Sequence, residues 1–437
     1  MTYTKALLIP LFLSLFTIDS FCQNILLADQ AVKMAIDNNF DIKRSLNATE
    51  IAKNNASKYN TGQLPTVSLN GSANWNIDNT NVTFQDGSDA NLTWVSTQNA
   101  AATITASYTI FDGFFRKYNI KQLSQQYLLT ELQVEAAMEN LAAQTLSQYY
   151  NVAALENTMS ILTEAIDISQ QRLKRAQVQA EYAQATQLDV LNAQVDLNND
   201  SLNYQNASLL LENAKLELNR LMVSDRDTTY RVVSDLDFFP AIDQNALRQN
   251  VVQQNIQLEQ INKNITIGNL SIDMANANKL PSLGANINYG YNYNKNNPSS
   301  FLASLNSNGL TAGVTLSWNI FDGGRTKIAI ENAKLNILDL EYQKEQLLYD
   351  LEADFDIAWA NYKNSLAIYD TNQKNEIITR QNFERTEEQF KIGQINSVEF
   401  RQAQLNLLNA QNGLIGSKFD VKINEVQLLL LSGNILD

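Results

Sequence analysis

Four stretches of this chain alternate apolar and polar residues with a period of two, and a far longer helical stretch follows each pair of them. In the first, Val67, Leu69, Gly71, Ala73, Trp75 and Ile77 interleave with Ser68, Asn70, Ser72, Asn74, Asn76 and Asp78. In the second, Ile104, Ala106, Tyr108 and Ile110 interleave with Thr103, Thr105, Ser107 and Thr109. The third sets Leu283, Ala285, Ile287, Tyr289, Tyr291 and Tyr293 against Asn286, Asn288, Gly290 and Asn292. The fourth sets Leu310, Ala312, Val314, Leu316, Trp318 and Ile320 against Thr311, Gly313, Thr315, Ser317 and Asn319. Successive side chains of a strand point to opposite faces, so the runs predict strands over 66–78, 102–111, 282–294 and 310–321. Strands of about ten residues with one apolar and one small-polar face suit a tilted transmembrane β-barrel with a watery lumen. Trp75, Tyr108, Tyr291, Tyr293 and Trp318 gather toward strand ends, as an interfacial girdle does. A soluble two-sheet sandwich also alternates, but rows of Asn, Thr and Ser would make a poor protein core.

Each strand pair leads into a helical run without proline, 114–181 and 324–391, that returns through a second helix, 186–222 and 396–431. At 1.5 Å per residue the outbound helices reach about 100 Å, the length of an element that crosses a gap or lines a tunnel. On the first return helix Leu188, Val195, Leu202, Leu209 and Leu216 form one heptad series, and Val190, Leu197, Tyr204, Leu211 and Leu218 form another. An offset of two residues places the series about 200° apart, on nearly opposite sides. The second return helix repeats this with Val398, Leu405, Phe419 and Val426, broken at Asn412, and with Phe400, Leu407, Leu414, Val421 and Leu428. One apolar seam makes a two-stranded coiled coil. Two opposed seams mean a neighbour on each side, and a sheet of such helices closes into a cylinder.

The joints carry their own signals. Helices over 29–60 and 242–279 precede the strands, and Pro65 and Pro281 mark the two helix-to-strand entries. Phe111-Asp112-Gly113 and Phe321-Asp322-Gly323-Gly324 mark the strand-to-helix junctions, where glycine lets the chain swing and aspartate caps a helix. The organisation read from this is a signal peptide at 1–23, a first repeat at 24–231, a linker at 232–241 containing Pro240, a second repeat at 242–433 and a tail at 434–437. Four strands cannot close a barrel, since the smallest transmembrane barrels have eight. An open edge in lipid strands backbone groups at several kcal/mol each. The chain must therefore share a barrel with copies of itself. Two copies would make eight strands around a filled interior; three would make twelve and leave a passage, and three is the preferred reading.

Composition narrows the function. Of 437 residues none is histidine, which removes the usual general base, the Ser-His and Cys-His pairs and most zinc sites. A net charge of −14 argues against nucleic acid. Neither an enzyme nor a cofactor nor a metal centre is expected. Lys5 followed by the apolar run Ala6–Ile18 reads as an export signal cleaved between Ser20 and Asn24. The single cysteine, Cys22, either leaves with that signal, the favoured reading, or becomes a lipid-anchored first residue.

The duplicated Ile-Phe-Asp-Gly junctions and Leu-Pro strand entries resemble those of the TolC-like outer-membrane efflux proteins. So do the tips Gln187-Leu188-Asp189-Val190-Leu191-Asn192-Ala193-Gln194 and Gly393-Gln394-Ile395-Asn396-Ser397-Val398-Glu399-Phe400-Arg401-Gln402-Ala403-Gln404. The resemblance covers essentially the whole mature chain. It implies a mainly α protein with a small β membrane part: a homotrimer whose long helical hairpins form a twelve-helix α-barrel, capped by a shared twelve-stranded β-barrel. Such a protein sits in the outer membrane of a Gram-negative bacterium with most of its mass in the periplasm. It is the exit duct of a tripartite pump or type I secretion system, engaged by a periplasmic adaptor and an inner-membrane transporter. The family closes its tunnel with acidic residues at the tips of the second repeat. Glu399 stands at one of those positions and the uncharged Gln402 at the other, while Asp189 is the matching acid of the first repeat. Symmetric carboxylates around a narrow pore attract cations, so cation preference and block by multivalent cations are expected. The rival reading is a non-conducting trimeric periplasmic coiled-coil rod or adhesin.

Overall fold

The computed structural model describes residues 25–225, 228–233, 238 and 243–436; the signal segment with Lys5 and Cys22, Pro240 and Asp437 lie outside them. In chain order the elements are β1 (Ile25–Leu26), α1 (Ala28–Asn38), α2 (Phe40–Asn55), β2 (Thr66–Thr83), β3 (Asp89–Asp112), α3 (Phe115–Glu181), α4 (Gln187–Met222) and β4 (Arg231–Val232). They continue with α5 (Gln244–Gln253), α6 (Ile256–Ala277), β5 (Ser282–Lys295), β6 (Ser304–Ser317), α7 (Arg325–Lys391) and α8 (Ser397–Leu431). The fold is mainly helical with a small β part.

Two helices precede each strand pair, across the ranges 29–60 and 242–279 where helices are expected. Asn39 caps α2, its Oδ1 accepting from the N–H groups of Asp41 and Ile42 at 2.8 and 3.3 Å. Asn255 caps α6 by the same bonds to Gln257 and Leu258. An asparagine side chain that satisfies two free N–H groups starts a new helix instead of continuing the old one.

The four long strands form one antiparallel sheet ordered β2-β3-β5-β6. Its register sorts the residues as the alternation requires, because residues directly opposite one another share a face. One face carries the rows Val67–Ala106–Ile287–Ala312 and Leu69–Ile104–Tyr289–Leu310. The other carries Ser68–Thr105–Asn288–Thr311 and Thr66–Ser107–Asn286–Gly313. The first hairpin is longer than the alternation predicts. β3 begins at Asp89 rather than 102, since residues 89–101 lack clean alternation yet still pair with β2. A bulge near Asp78 interrupts this extension. There Trp94 takes φ of 55° and its N–H donates to Asn79 Oδ1 at 2.8 Å. β6 also departs from the expected 310–321. It runs from Ser304 to Ser317, leaving Trp318, Asn319, Ile320 and Phe321 outside the strand.

The described residues pack as two compact units, and neither is one of the sequence repeats. One unit draws on the described residues of 25–35, 145–238 and 366–423; the other on those of 36–144, 243–365 and 424–436. In the first, the buried Tyr149 hydroxyl donates to Leu26 O at 2.8 Å and accepts from Val233 N at 2.9 Å, holding the short parallel pair β1·β4. Lys215, paired with Glu156 at 2.7 Å, donates to Tyr230 O at 2.6 Å and ties down the segment after α4. The second unit contains the sheet. In it α6 packs on α3 through Gln122 Nε2 to Ser271 Oγ at 2.7 Å, and on α7 where Gly268 faces Ile337.

Glu139 on α3 is a buried carboxylate of this second unit, 7 % exposed. Burial, and then the charge of Glu135, push its pKa up from 4.5 to about 7. A raised pKa means the fold favours the neutral form. The stability it contributes is present below about pH 4.5 and is lost as pH rises through about 7. Glu139→Gln is therefore expected to raise the unfolding midpoint at pH 8, by the equivalent of about 2 kcal/mol, and to leave it nearly unchanged at pH 4. Thermal melts of both proteins across that range check it.

Candidate functional site

The two helical hairpins turn by the same local chemistry. At the first tip Ala183 N donates to Ala180 O and Gln184 N to Gln179 O; at the second Gly393 N donates to Phe390 O and Gln394 N to Gln389 O. Both are Schellman ends with the pivotal residue in the left-handed region, Ala183 at 57° and Gly393 at 77°. Each return helix then starts with a reciprocal cap. Thr186 Oγ1 accepts from Asp189 N while Asp189 Oδ2 accepts from Thr186 N at 2.9 Å. Asn396 Oδ1 accepts from Glu399 N at 2.9 Å while Glu399 Oε2 accepts from Asn396 N at 3.4 Å. The candidate acids Asp189 and Glu399 thus occupy matching positions, each turned back on its own helix start, where a carboxylate also meets the positive end of the dipole. The Thr186 hydroxyl, followed by its backbone N–H, holds the Asp189 carboxyl below its usual range. Gln402 lies on the same exposed turn as Glu399 and donates to Asn406 Oδ1 at 2.9 Å.

Just behind the tips lies a buried polar cluster that the periodicity does not reveal. Arg401 of α8 makes two bonds to the Asp200 carboxylate of α4, both at 2.7 Å. Asp200 also accepts from Ser169 Oγ of α3, and Gln404 Nε2 donates to Ala165 O and to Ser169 Oγ. Arg172 of α3 pairs with Asp196 of α4. Burial lowers the Arg172 pKa, opposed by the hydrogen bond and charge of Asp196. Asp200, Arg172, Gln404 and Ser169 are all buried. Three helices from both repeats are therefore joined by a desolvated ion pair, and a patch of Phe383, Phe400, Ala403 and Leu407 seals the adjoining α7·α8 contact. The one signal in the sequence is that Arg401 falls within the second tip motif. Its partners lie 201 and 232 positions away and share no local pattern with it.

At the first strand-to-helix junction Arg116 gathers three elements. It pairs with Asp112 at 2.8 Å, donates to Gly62 O at 2.7 Å and to Thr109 O at 2.6 Å, and lies over the Tyr108 ring. Gly113 takes φ of 67°, and a Cβ there would stand 2.4 Å from Ala277 O and 2.9 Å from Leu280 Cβ. The second junction is built differently. Asp322 accepts from Thr326 N at 2.8 Å, and at Gly323 and Gly324 an added Cβ meets nothing within 4 Å. Phe111 stacks edge-on against Phe114, whereas Phe321 is exposed. Pro65 and Pro281 each stand immediately before a strand.

The aromatic residues frame a band on the apolar face. Trp75 opposes Gln98, and about ten residues along β3 stands Tyr108. That is about 33 Å of strand, or about 25 Å of height at a 40° tilt, the thickness of an outer-membrane apolar band. Tyr291 and Tyr293 oppose Ala102 and Ala100, just inside the Trp75 level. Trp318, past the end of β6, donates its indole N–H to Lys279 O at 3.1 Å. Among the described residues no helix is long and apolar enough to cross a membrane. The same residues include no cluster of His, Cys, Asp and Glu that could hold a metal.

The heptad seams are unevenly covered. On α8, Phe400, Leu407, Phe419, Val421, Val426 and Leu428 are buried. On α4, Leu218 is buried, but Leu188, Val195, Leu202, Leu209 and Leu216 stand exposed as an unbroken stripe. On α7 the stripe Ile328, Leu335, Tyr342 and Tyr349 is exposed in the same way.

A family model described as outer membrane efflux protein matches residues 31–223 and 247–434. Among solved structures the chain is similar to the Campylobacter jejuni CmeC outer membrane channel, at 20 % identity and a TM-score of 0.75 over 93 % of this chain and 85 % of that one. It is similar to CusC at 16 % identity and a TM-score of 0.72, over 99 % of both chains. It is also similar to the open state of the Neisseria gonorrhoeae MtrE outer membrane channel, at 15 % identity and a TM-score of 0.70 over 94 % of this chain and 89 % of that one. A comparison with curated proteins finds no match.

Proposed function

This chain belongs to the outer membrane efflux protein family, whose members are exit ducts of tripartite efflux systems, and we propose that three copies of it build one passive duct. The duct crosses the outer membrane of a Gram-negative bacterium through twelve strands and the periplasm through twelve long helices. It performs no catalysis, and a periplasmic adaptor and an inner-membrane transporter load it. The observation that carries this reading is the sheet, with one apolar face, one face of Asn, Thr and Ser, and two edges that no strand among the described residues pairs with. Water on the polar face and lipid on the apolar one satisfy such a sheet only if it closes with further copies. The exposed stripes on α4 and α7 ask for the same closure. The test is conductance in planar bilayers together with the mass of the detergent-solubilised protein. A trimer that passes no current would sink the duct and leave the rod, and a stable monomer would sink both.

The tips are the gate of this duct. The Arg401–Asp200 pair holds the helices of both repeats together behind them, and Glu399 supplies the charge at the mouth. Three Glu399 carboxylates around a threefold axis favour cations. Glu399→Gln is expected to reduce cation preference several-fold, read as a shift of reversal potential in a salt gradient, and to weaken block by multivalent cations. Unchanged selectivity would remove Glu399 from the mouth.

A further inference from the structure

The first hairpin changes polarity along its own length. From Val67 to Ile77 the odd-numbered residues of β2 are apolar and the even-numbered ones polar. Beyond Ile77 the order reverses, with Asn79, Asn81 and Thr83 polar and Val82 and Phe84 apolar. β2 runs unbroken from Thr66 to Thr83, so its side chains keep alternating and the two faces exchange character. The partner strand makes the same exchange through its bulge. Asp78 opposes Val95 and Thr80 opposes Leu92, so Asn79 faces both Thr93 and Trp94. Without that extra residue Leu92 and Ala90 would stand opposite Asn81 and Thr83 on the polar face; with it they join Thr80 and Val82.

The side that Thr80, Val82, Ala90 and Leu92 share is the side of Ser68, Asn70 and Asn74, which faces the lumen of the barrel proposed above. On the other side Asn79, Asn81, Thr83, Asp89 and Asn91 are exposed and polar, so lipid does not cover this part of the hairpin. The last residue of β5, Lys295, opposes Gln98, and β3 reaches back from there to Asp89. Those residues make about 30 Å of two-stranded ribbon with no third strand beside it. A ribbon of that kind is marginal in water unless its apolar face is covered. Twelve strands about 4.8 Å apart and tilted about 40° enclose a radius of about 12 Å. The ribbon is long enough to reach the axis.

We infer that the apolar faces of the three first hairpins meet around the threefold axis above the membrane. Val82, Ala90 and Leu92 of each copy lie against the same residues of the other two and narrow the outer mouth of the duct. The inference rests on the reading that three copies share a barrel, and it adds a contact that closing the barrel does not require. The polar outer side stays in water while the apolar side is covered, which is the arrangement that the exchange of faces at the bulge provides for. The turn stays in water as well, because Asp86, which accepts from Ser88 Oγ at 2.6 Å, is exposed there. The contact therefore runs along the ribbons and not at their tips. An apolar ring of this kind opposes ion flow by shedding water.

The test uses single cysteines in a Cys22→Ser background, because residues related by the threefold axis can bond to their own copies. Val82→Cys or Leu92→Cys should give covalent dimers on oxidation, read on a denaturing gel, with one chain of each trimer left over. Asn81→Cys and Asn91→Cys, on the outer side, should stay monomeric there. Val82→Asn combined with Leu92→Asn should raise single-channel conductance in planar bilayers at least about two-fold, since a wettable ring passes ions. If neither inner cysteine links while the detergent-solubilised mass is that of a trimer, the contact is overturned whatever the conductance, and the duct stands. Links from the outer cysteines alone overturn the assignment of faces. A monomeric mass takes away both the contact and the duct.

Discussion

Arg401→Leu is expected to destabilise the tips by about 3–5 kcal/mol, because it leaves the buried Asp200 carboxylate without its cation. Asp200→Leu should cost less, because Arg401 keeps the Asp196 carboxylate at 3.6 Å and Gln404 Oε1 at 3.0 Å. The double variant should recover most of the loss, since two apolar side chains of similar bulk carry no charge to desolvate. Hydrogen exchange of the helices near the tips measures all three, with single variants exchanging faster over α3, α4 and α8 while the sheet stays protected. The gate role adds a separate outcome. Both single variants and the double should conduct more and open more often, because the apolar pair restores stability without the directional clamp between the repeats. If the double variant recovers both stability and wild-type closure, the pair is packing alone and the latch is elsewhere. If neither single variant changes exchange at the tips, the buried pair is not what holds them.

Gly113→Ala is the second change with a large expected effect. A residue with Cβ at φ of 67° costs about 1–2 kcal/mol for its left-handed backbone. The new methyl would also stand 2.4 Å from a main-chain carbonyl that cannot step aside as a flexible side chain could. Overpacking of that kind adds about 1–3 kcal/mol. The sum is a large share of ordinary protein stability. Outer-membrane fractions of cells expressing Gly113→Ala should contain several-fold less assembled protein than wild type. Within one chain Gly323→Ala carries only the backbone strain, as nothing lies near its added methyl. Assembly losses as large for Gly323 as for Gly113 would place a second copy against Gly323. Normal assembly of Gly113→Ala would show that the junction relaxes, and would remove the contact with Ala277 from the account.

The candidate site was legible only in part. Asp189 and Glu399 stood out as acids at equivalent tip positions, and the structure adds that each closes a cap on its own helix. Arg401 lies within the second tip motif, but its partners Asp200 and Ser169 come from the other repeat, and no period links them. The strand limits failed where pairing overrides pattern. Residues 89–101 join β3 without clean alternation because β2 lies alongside to bond them. Trp318 to Phe321 alternate well and are not strand, because the pairing with β5 ends at Ser317 opposite Ser282 and no strand among the described residues pairs beyond it. Alternation reports which face is apolar; it does not report whether a neighbour exists.

By itself the sequence determined the order of strand and helix, the sidedness of every strand and the opposed apolar series of the return helices. Each of these is periodic or local, and repetition along a chain is visible without knowing what any residue touches. Only the tertiary structure decided the strand order β2-β3-β5-β6, the register that puts Ser68 in line with Thr311, the buried bond from Arg401 to Asp200 and the crowding of Gly113 by Ala277. Those contacts join residues from separate repeats. Their energy depends on distance and desolvation, which spacing along the chain does not encode.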